Sequence, residues 1–79
     1  MDLEKLVEKT IEDINLSGFK SKVNLTINEV SQILGIGLSK LEDMRKNANG
    51  PNYLKMGRRI IYPKRSIAEF IVNSQIRTL

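Results

Sequence analysis

The chain has 79 residues and a formal net charge of +4, and it contains neither cysteine nor histidine. This length allows one small domain with a small core, which excludes an enzyme with a deep pocket. The missing cysteines exclude disulfides and thiolate metal sites, and the missing histidines remove the commonest metal ligand and general base. We therefore expect a protein that is not an enzyme and that needs no cofactor, metal or small-molecule substrate.

The first predicted element is an amphipathic helix of about 14 residues, with Asp2 as its N-cap and Ser17-Gly18 as its end. Its apolar residues form one stripe at helical spacing: Leu3, Leu6, Val7, Ile11 and Ile14. Each is worth roughly 1.5–3 kcal/mol on burial, so the stripe must be covered. Because the later helices have their inward positions assigned to each other, we expect a homodimer through this stripe. The alternative is that the helix folds back near Phe70 and Ile71 and completes a monomer core.

A polar connector over residues 15–22 and a short strand over residues 23–25 precede the next helix. Thr26 and Glu29 have the spacing of a capping box, which places this helix over Ile27 to Leu34. The turn Gly35-Ile36-Gly37 then leads into a second helix over residues 38–46, so the pair predicts a helix-turn-helix.

The second of these helices has an inward pair, Leu41 and Met44, and a polar outer surface. Its outward residues are Ser39, Lys40, Glu42, Asp43, Arg45 and Lys46. Gly50-Pro51 marks the end of the segment that follows the helix.

A β-hairpin is predicted for residues 53–62, with Gly57-Arg58 as its tight turn. Its tip is basic, through Lys55, Arg58 and Arg59. Pro63 suits the first position of a closing helix over residues 64–74, beyond which residues 75–79 are expected to fray. The inward stripe of that helix is predicted to be Ile67, Phe70, Ile71 and Ser74.

The charge is distributed unevenly, since residues 45–65 contain seven basic side chains and no acidic one. A block of one sign favours a polyanionic partner, and a solvated basic face is the alternative. No apolar run approaches the ~18 residues that a membrane span requires. The acidic start of the chain is unlike a signal peptide, so we expect a cytoplasmic protein that makes no membrane contact.

The chain resembles the excisionase and MerR-like winged helix-turn-helix family, which includes AlpA-type regulators and the N-termini of phage terminase small subunits. The resemblance covers about residues 23–73 and rests on these motifs: Leu25-Thr26-Ile27-Asn28-Glu29-Val30, Ile33-Leu34-Gly35-Ile36, Leu41, Gly50-Pro51-x-Tyr53-x-Lys55-x-Gly57-Arg58-Arg59-x-x-Tyr62 and Ile67-x-x-Phe70-Ile71. It implies an α+β, mainly helical fold: a winged helix-turn-helix domain at residues 23–79, preceded by the helix and connector at residues 1–22. Gly37 departs from the family's usual Ser or Thr cap, and Glu42 and Asp43 place carboxylates on the recognition helix.

The resemblance implies double-stranded DNA as the partner, with the second helix in the major groove and the hairpin as a wing on the backbone or minor groove. Lys40 and Ser39 lie where such helices meet base edges, although Ser39 is also placed to assist the helix end, and Arg45 and Lys46 are better placed for phosphate. Lys55, Arg58 and Arg59 would bind phosphate through the wing, unless they only solvate the turn.

Two further groups have structural interpretations that we favour. Glu42 and Asp43 either accept from cytosine N4 or, as we favour, pair with Lys46 and other nearby cations. Tyr53, Tyr62 and Phe70 are expected in the core rather than stacked on bases.

The predicted function is an excisionase-like architectural factor or a transcriptional regulator of a phage or mobile element. The alternatives are a DNA-packaging protein similar to terminase small subunits and a protein-interaction module that uses the N-terminal helix.

Overall fold

The computed structural model describes the backbone from Asp2 to Arg77 and the side chains as far as Ser74. In chain order, the elements are α1 (Leu3–Ile14), β1 (Asn24–Leu25), α2 (Ile27–Leu34), α3 (Leu38–Lys46), β2 (Leu54–Met56), β3 (Arg59–Pro63) and α4 (Lys64–Arg77). A kinked turn at Asn15–Phe19, in which Gly18 has φ of +106°, follows α1. The strands form one antiparallel sheet in the order β1-β3-β2. The predicted fold class is confirmed: the architecture is mainly helical and is that of a winged helix-turn-helix with an N-terminal helix.

The starts of α1 and α2 follow from local caps. The Asp2 carboxylate accepts a hydrogen bond from the amide of Glu4 at 3.0 Å. Thr26 and Glu29 form the predicted capping box, in which each side chain accepts from the other's amide, at 3.2 and 2.9 Å. The Lys22 ammonium, 2.8 Å from the Glu29 carboxylate, is the main cause that lowers the pKa of Glu29. The charged form of the cap is thereby stabilised.

The turn between α2 and α3 uses its two glycines differently. Gly35 ends α2 with φ of +68°, a conformation that side chains disfavour. Ile36 packs against the core, and its carbonyl accepts from the Ser31 hydroxyl at 2.6 Å. Gly37 has an ordinary φ of −64° and caps α3 without any side-chain hydrogen bond. The predicted tight turn and the predicted weak cap of α3 are both present.

The core lies where the helices meet the sheet. Its buried apolar members are Val7, Ile14, Leu25, Val30, Leu41, Tyr62, Ile67, Ala68 and Val72. Leu25 of β1 and Tyr62 of β3 are register partners, so the sheet is anchored in the core at this pair.

The helix α1 is part of this core, because it packs along α4. Val7 and Ile14 are only 6 and 4% exposed, and Leu6 and Ile11 pack against the core, whereas Leu3 is 47% exposed. The expectation that the rest of the chain could not cover the α1 stripe is therefore wrong, and the fold-back alternative describes the packing. The stripe provides no argument for a homodimer, since most of it is covered within one chain.

The last helix differs from the prediction at both ends. Pro63 is the final residue of β3 rather than the first residue of the helix, and the helical backbone of α4 continues to Arg77. The predicted fraying of residues 78 and 79 lies outside the described residues.

The buried face of α4 also differs from the predicted stripe. Ile67 is buried as predicted, but Ala68 and Val72 are also buried, whereas Phe70 and Ile71 are only half-buried. The reason is that α4 packs on both α1 and β3, which uses a wider face of the helix than a single stripe.

Candidate nucleic-acid interface

The hairpin of β2 and β3 projects its cations on both faces and at its tip. Gly57 takes the positive φ, +63°, that the two-residue turn requires. The register pairs Lys55 with Ile60 and Met56 with Arg59, and paired residues share a face while sequence neighbours alternate. Lys55 and Arg59 therefore lie on opposite faces, with Arg58 in the turn, and all three are exposed. The predicted basic wing is present in the fold.

The base of the hairpin is held firmly, while its outer strand is open. Tyr62 of β3 is 1% exposed and is fixed in the core beside Leu25, whereas every residue of β2 is exposed. The hairpin is therefore anchored in the core by β3, while β2 and the tip of the hairpin are accessible.

The helix α3 presents one polar face to solvent. Leu41 is buried, and the helical rotation of 100° per residue places Ser39, Asp43 and Lys46 on the opposite side, with Lys40 at its edge. These four residues are all exposed. The structure thus brings together three of the predicted contact residues, but it also places a carboxylate between them.

The two carboxylates of α3 differ in their surroundings. Glu42 accepts from Arg45 at 2.8 Å, one turn along the helix, and this hydrogen bond lowers the pKa of Glu42. Asp43 is exposed, and no ion pair with it is found among residues 2–74. The predicted structural pairing holds for Glu42, although its partner is Arg45 and not Lys46.

The fold divides the basic block of residues 45–65 into two groups. Three of its cations have intramolecular partners. Arg45 pairs with Glu42, buried Lys64 donates to the carbonyl of Phe19 at 2.7 Å, and Arg65 contacts Glu4 and Glu69. The other four, Lys46, Lys55, Arg58 and Arg59, are exposed. Counting Lys40, five exposed cations lie on α3 and the hairpin.

The aromatic residues correct one prediction and disclose a contact that the sequence did not indicate. Tyr62 is buried and Phe70 half-buried, but Tyr53 is 39% exposed and so is not a core residue. Its ring lies 6.2 Å from the ring of Tyr62, and the Arg45 guanidinium lies 5.8 Å from its centre. An aromatic residue eight positions beyond an arginine has no distinctive pattern, so sequence reasoning missed this contact.

Within the described part of the chain, no cluster of three or more metal-ligating side chains is found. The same residues include no helix that is both long and apolar enough to cross a membrane.

Comparison with known families agrees with this geometry. A family model described as a helix-turn-helix domain matches residues 25–73, a range that begins in β1 and ends within α4 and so excludes α1. No curated protein and no solved structure matches the chain. Since the matched range covers well over half of the chain, the protein belongs to the helix-turn-helix domain family, which comprises small DNA-binding proteins of the excisionase-like and AlpA type.

Proposed function

We propose that this protein binds double-stranded DNA sequence-specifically, with α3 in the major groove and the hairpin on the adjacent backbone or minor groove. The observation that carries the proposal is the division of the cations. Within residues 45–65, the cations with intramolecular partners are Arg45 beside Glu42 and Lys64 and Arg65 at the start of α4. The other four, Lys46, Lys55, Arg58 and Arg59, are exposed on α3 and the hairpin, as is Lys40 on α3.

Within this interface the two elements have different roles. Ser39 and Lys40 lie in the first turn of α3, where recognition helices contact base edges. Lys46 at the other end of α3 and the cations of the hairpin are placed for phosphate, which positions the protein without reading sequence. The action that follows is architectural or regulatory, as in excisionase-like factors and transcriptional regulators of phages or mobile elements.

A salt titration of binding to a random-sequence duplex tests the proposal. If each of the four cations placed for phosphate, Lys46, Lys55, Arg58 and Arg59, neutralises one phosphate, log K falls with log salt with a slope of about −3.6. Fluorescence anisotropy of a labelled duplex measures this slope. Absence of binding at low salt, or binding that does not depend on salt, contradicts the proposal. Sequencing of DNA fragments that co-purify with the protein then separates roles in excision, transcription and packaging.

The rival function, a protein-interaction module based on α1, depends on a free apolar stripe. Because Val7 and Ile14 are buried against α4, light scattering should show a monomer for the full chain. A dimer that becomes a monomer when the chain begins at Lys22 would restore the expected homodimer through α1.

A further inference from the structure

Arg45, in the last turn of α3, connects this helix to the hairpin through side-chain contacts. Its guanidinium donates to Glu42 at 2.8 Å, within α3, and lies 5.8 Å from the centre of the Tyr53 ring. Tyr53 directly precedes β2, and its ring lies 6.2 Å from that of Tyr62 in β3. One line of contacts therefore runs from the recognition helix to both strands of the hairpin.

The backbone supplies only the first part of the connection between α3 and the hairpin. The amide of Asn49 donates to the carbonyl of Met44 at 3.0 Å, which fixes the start of the loop on the end of α3. Beyond this point an open cavity of about 280 Å³, bordered by Arg45, Pro51 and Tyr53, lies between the end of α3 and the loop. Gly50 packs closely on Met44 of α3, since a Cβ added at Gly50 would lie 3.1 Å from the Met44 Cβ. The contact between Arg45 and Tyr53 adds a side-chain connection farther along the loop, next to β2.

The guanidinium of Arg45 is poorly placed for phosphate. One of its nitrogens is bound to Glu42, the centre of the Tyr53 ring lies 5.8 Å from its central carbon, and Nε is buried without a hydrogen-bond partner among residues 2–74. A bidentate contact with phosphate needs two adjacent donors directed outward. The hydrogen bond to Glu42 also raises the pKa of Arg45.

We propose that Arg45 is a positioning residue, which sets the orientation of the hairpin relative to α3 through Tyr53 so that both elements engage one duplex together. This inference rests on the proposed DNA binding. When two binding elements are held in a fixed relation, the second contact forms at a high effective concentration, and it forms less readily when that relation is loosened. The link therefore adds affinity for DNA without itself contacting DNA.

The test removes the contact between Arg45 and Tyr53 by a substitution at either residue. It then measures the affinity for a duplex selected for tight binding and the slope of log K against log salt. Tyr53→Ala removes the ring, Arg45→Met removes the charge and keeps the aliphatic stem, and Tyr53→Phe is the control that keeps the ring. We expect Tyr53→Ala and Arg45→Met to weaken binding by about three- to tenfold, with the salt slope unchanged. Tyr53→Phe keeps the ring and removes only the hydroxyl, so it should lose clearly less affinity than Tyr53→Ala.

A double-mutant cycle that combines Tyr53→Ala with the substitutions of Arg58 and Arg59 distinguishes loss of positioning from a general loss of folded structure. In the natural protein, Arg58→Ala with Arg59→Ala removes contacts that the link holds in place. In the Tyr53→Ala background the same pair should cost less affinity, because the wing is already loosened. Thermal unfolding and amide spectra of each variant verify that the fold is retained.

Two results would overturn the inference while leaving the proposed function intact. The first is a salt slope that falls by about one unit in Arg45→Met, since that marks a direct phosphate contact. The second is strict additivity of Tyr53→Ala and the wing substitutions. Failure of the natural protein to bind any duplex would instead overturn the proposed function.

Discussion

The ammonium of Lys64 donates to the backbone carbonyl of Phe19 at 2.7 Å, and so ties the kinked turn after α1 to the first residue of α4. The same ammonium donates to the side-chain oxygen of Asn15. Lys64 is only 9% exposed, which is unusual for a lysine. Lys64 belongs by position to the basic block of residues 45–65, but in the fold it links the turn after α1 to the start of α4.

Replacing Lys64 by Met should therefore reduce stability rather than DNA affinity. The substitution leaves the Phe19 carbonyl and the Asn15 amide oxygen without their charged donor, and a hydrogen bond to a charged group is worth about 1.5–3 kcal/mol. Urea unfolding measures the loss. Arg65→Met removes the same charge from an exposed pair with Glu4 and should cost clearly less. An equal loss in the two variants would show that the buried link is not special.

The cap of α3 can be improved at Gly37. Gly37 has φ of −64°, it lacks a side-chain hydrogen bond, and a Cβ added there meets no atom within 4 Å. Gly37→Ser should raise the free energy of unfolding by a few tenths to about 1 kcal/mol, since it supplies an N-cap hydroxyl and restricts the unfolded chain. Gly35→Ser is the matched control and should destabilise the protein because Gly35 has φ of +68°. Thermal unfolding of both variants measures the changes in stability. A less stable Gly37→Ser variant would contradict the assignment of Gly37 as the N-cap of α3.

The wing should contribute equally to the affinity for every DNA sequence. Replacing Arg58 and Arg59 together by Ala is expected to reduce the slope of log K against log salt by about two units, near 0.9 for each lost phosphate contact. Lys5→Ala with Lys9→Ala on α1 removes the same charge outside the proposed interface and should leave the slope nearly unchanged. If both pairs have the same effect, only net charge matters and the wing has no specific role.

The first turn of α3 should determine sequence preference. Ser39→Ala and Lys40→Ala are expected to change the preferred bases, at ~1–3 kcal/mol for each lost base contact, with little change in non-specific affinity. Binding-site selection with each variant measures the preference. Lys46→Ala is the control on the same exposed face, and it should weaken all duplexes alike. An unaltered selected sequence in both first-turn variants would mean that α3 is not the reading element.

The elements that depend on neighbouring residues were predictable from sequence. Asp2, Thr26 with Glu29, Gly35 and Gly57 each act within a few positions of themselves, so the starts of α1 and α2, the end of α2 and the turn of the hairpin follow from local chemistry. The exposure of Lys55, Arg58 and Arg59 follows for the same reason.

What the sequence could not supply depends on how distant elements meet. Ala68 is buried because α1 and β3 both pack on α4, and neither contact is visible in the pattern of α4 itself. Lys64 and Arg45 are cations, and their partners, Phe19 and Tyr53, are brought near only by the fold. The prediction that the rest of the chain could not cover the α1 stripe failed because it underestimated the face of α4 that is available for packing.

The most direct test of the proposed interface is to follow backbone amide resonances while a duplex is added to the protein. If α3 and the hairpin bind the duplex, the amide resonances of residues 38–46 and 54–59 should shift most. The resonances of residues 3–14 should not change, since α1 lies against α4 and outside the family-matched range. Shifts centred on α1, or none in α3 and the hairpin while DNA is bound, would contradict the proposed interface.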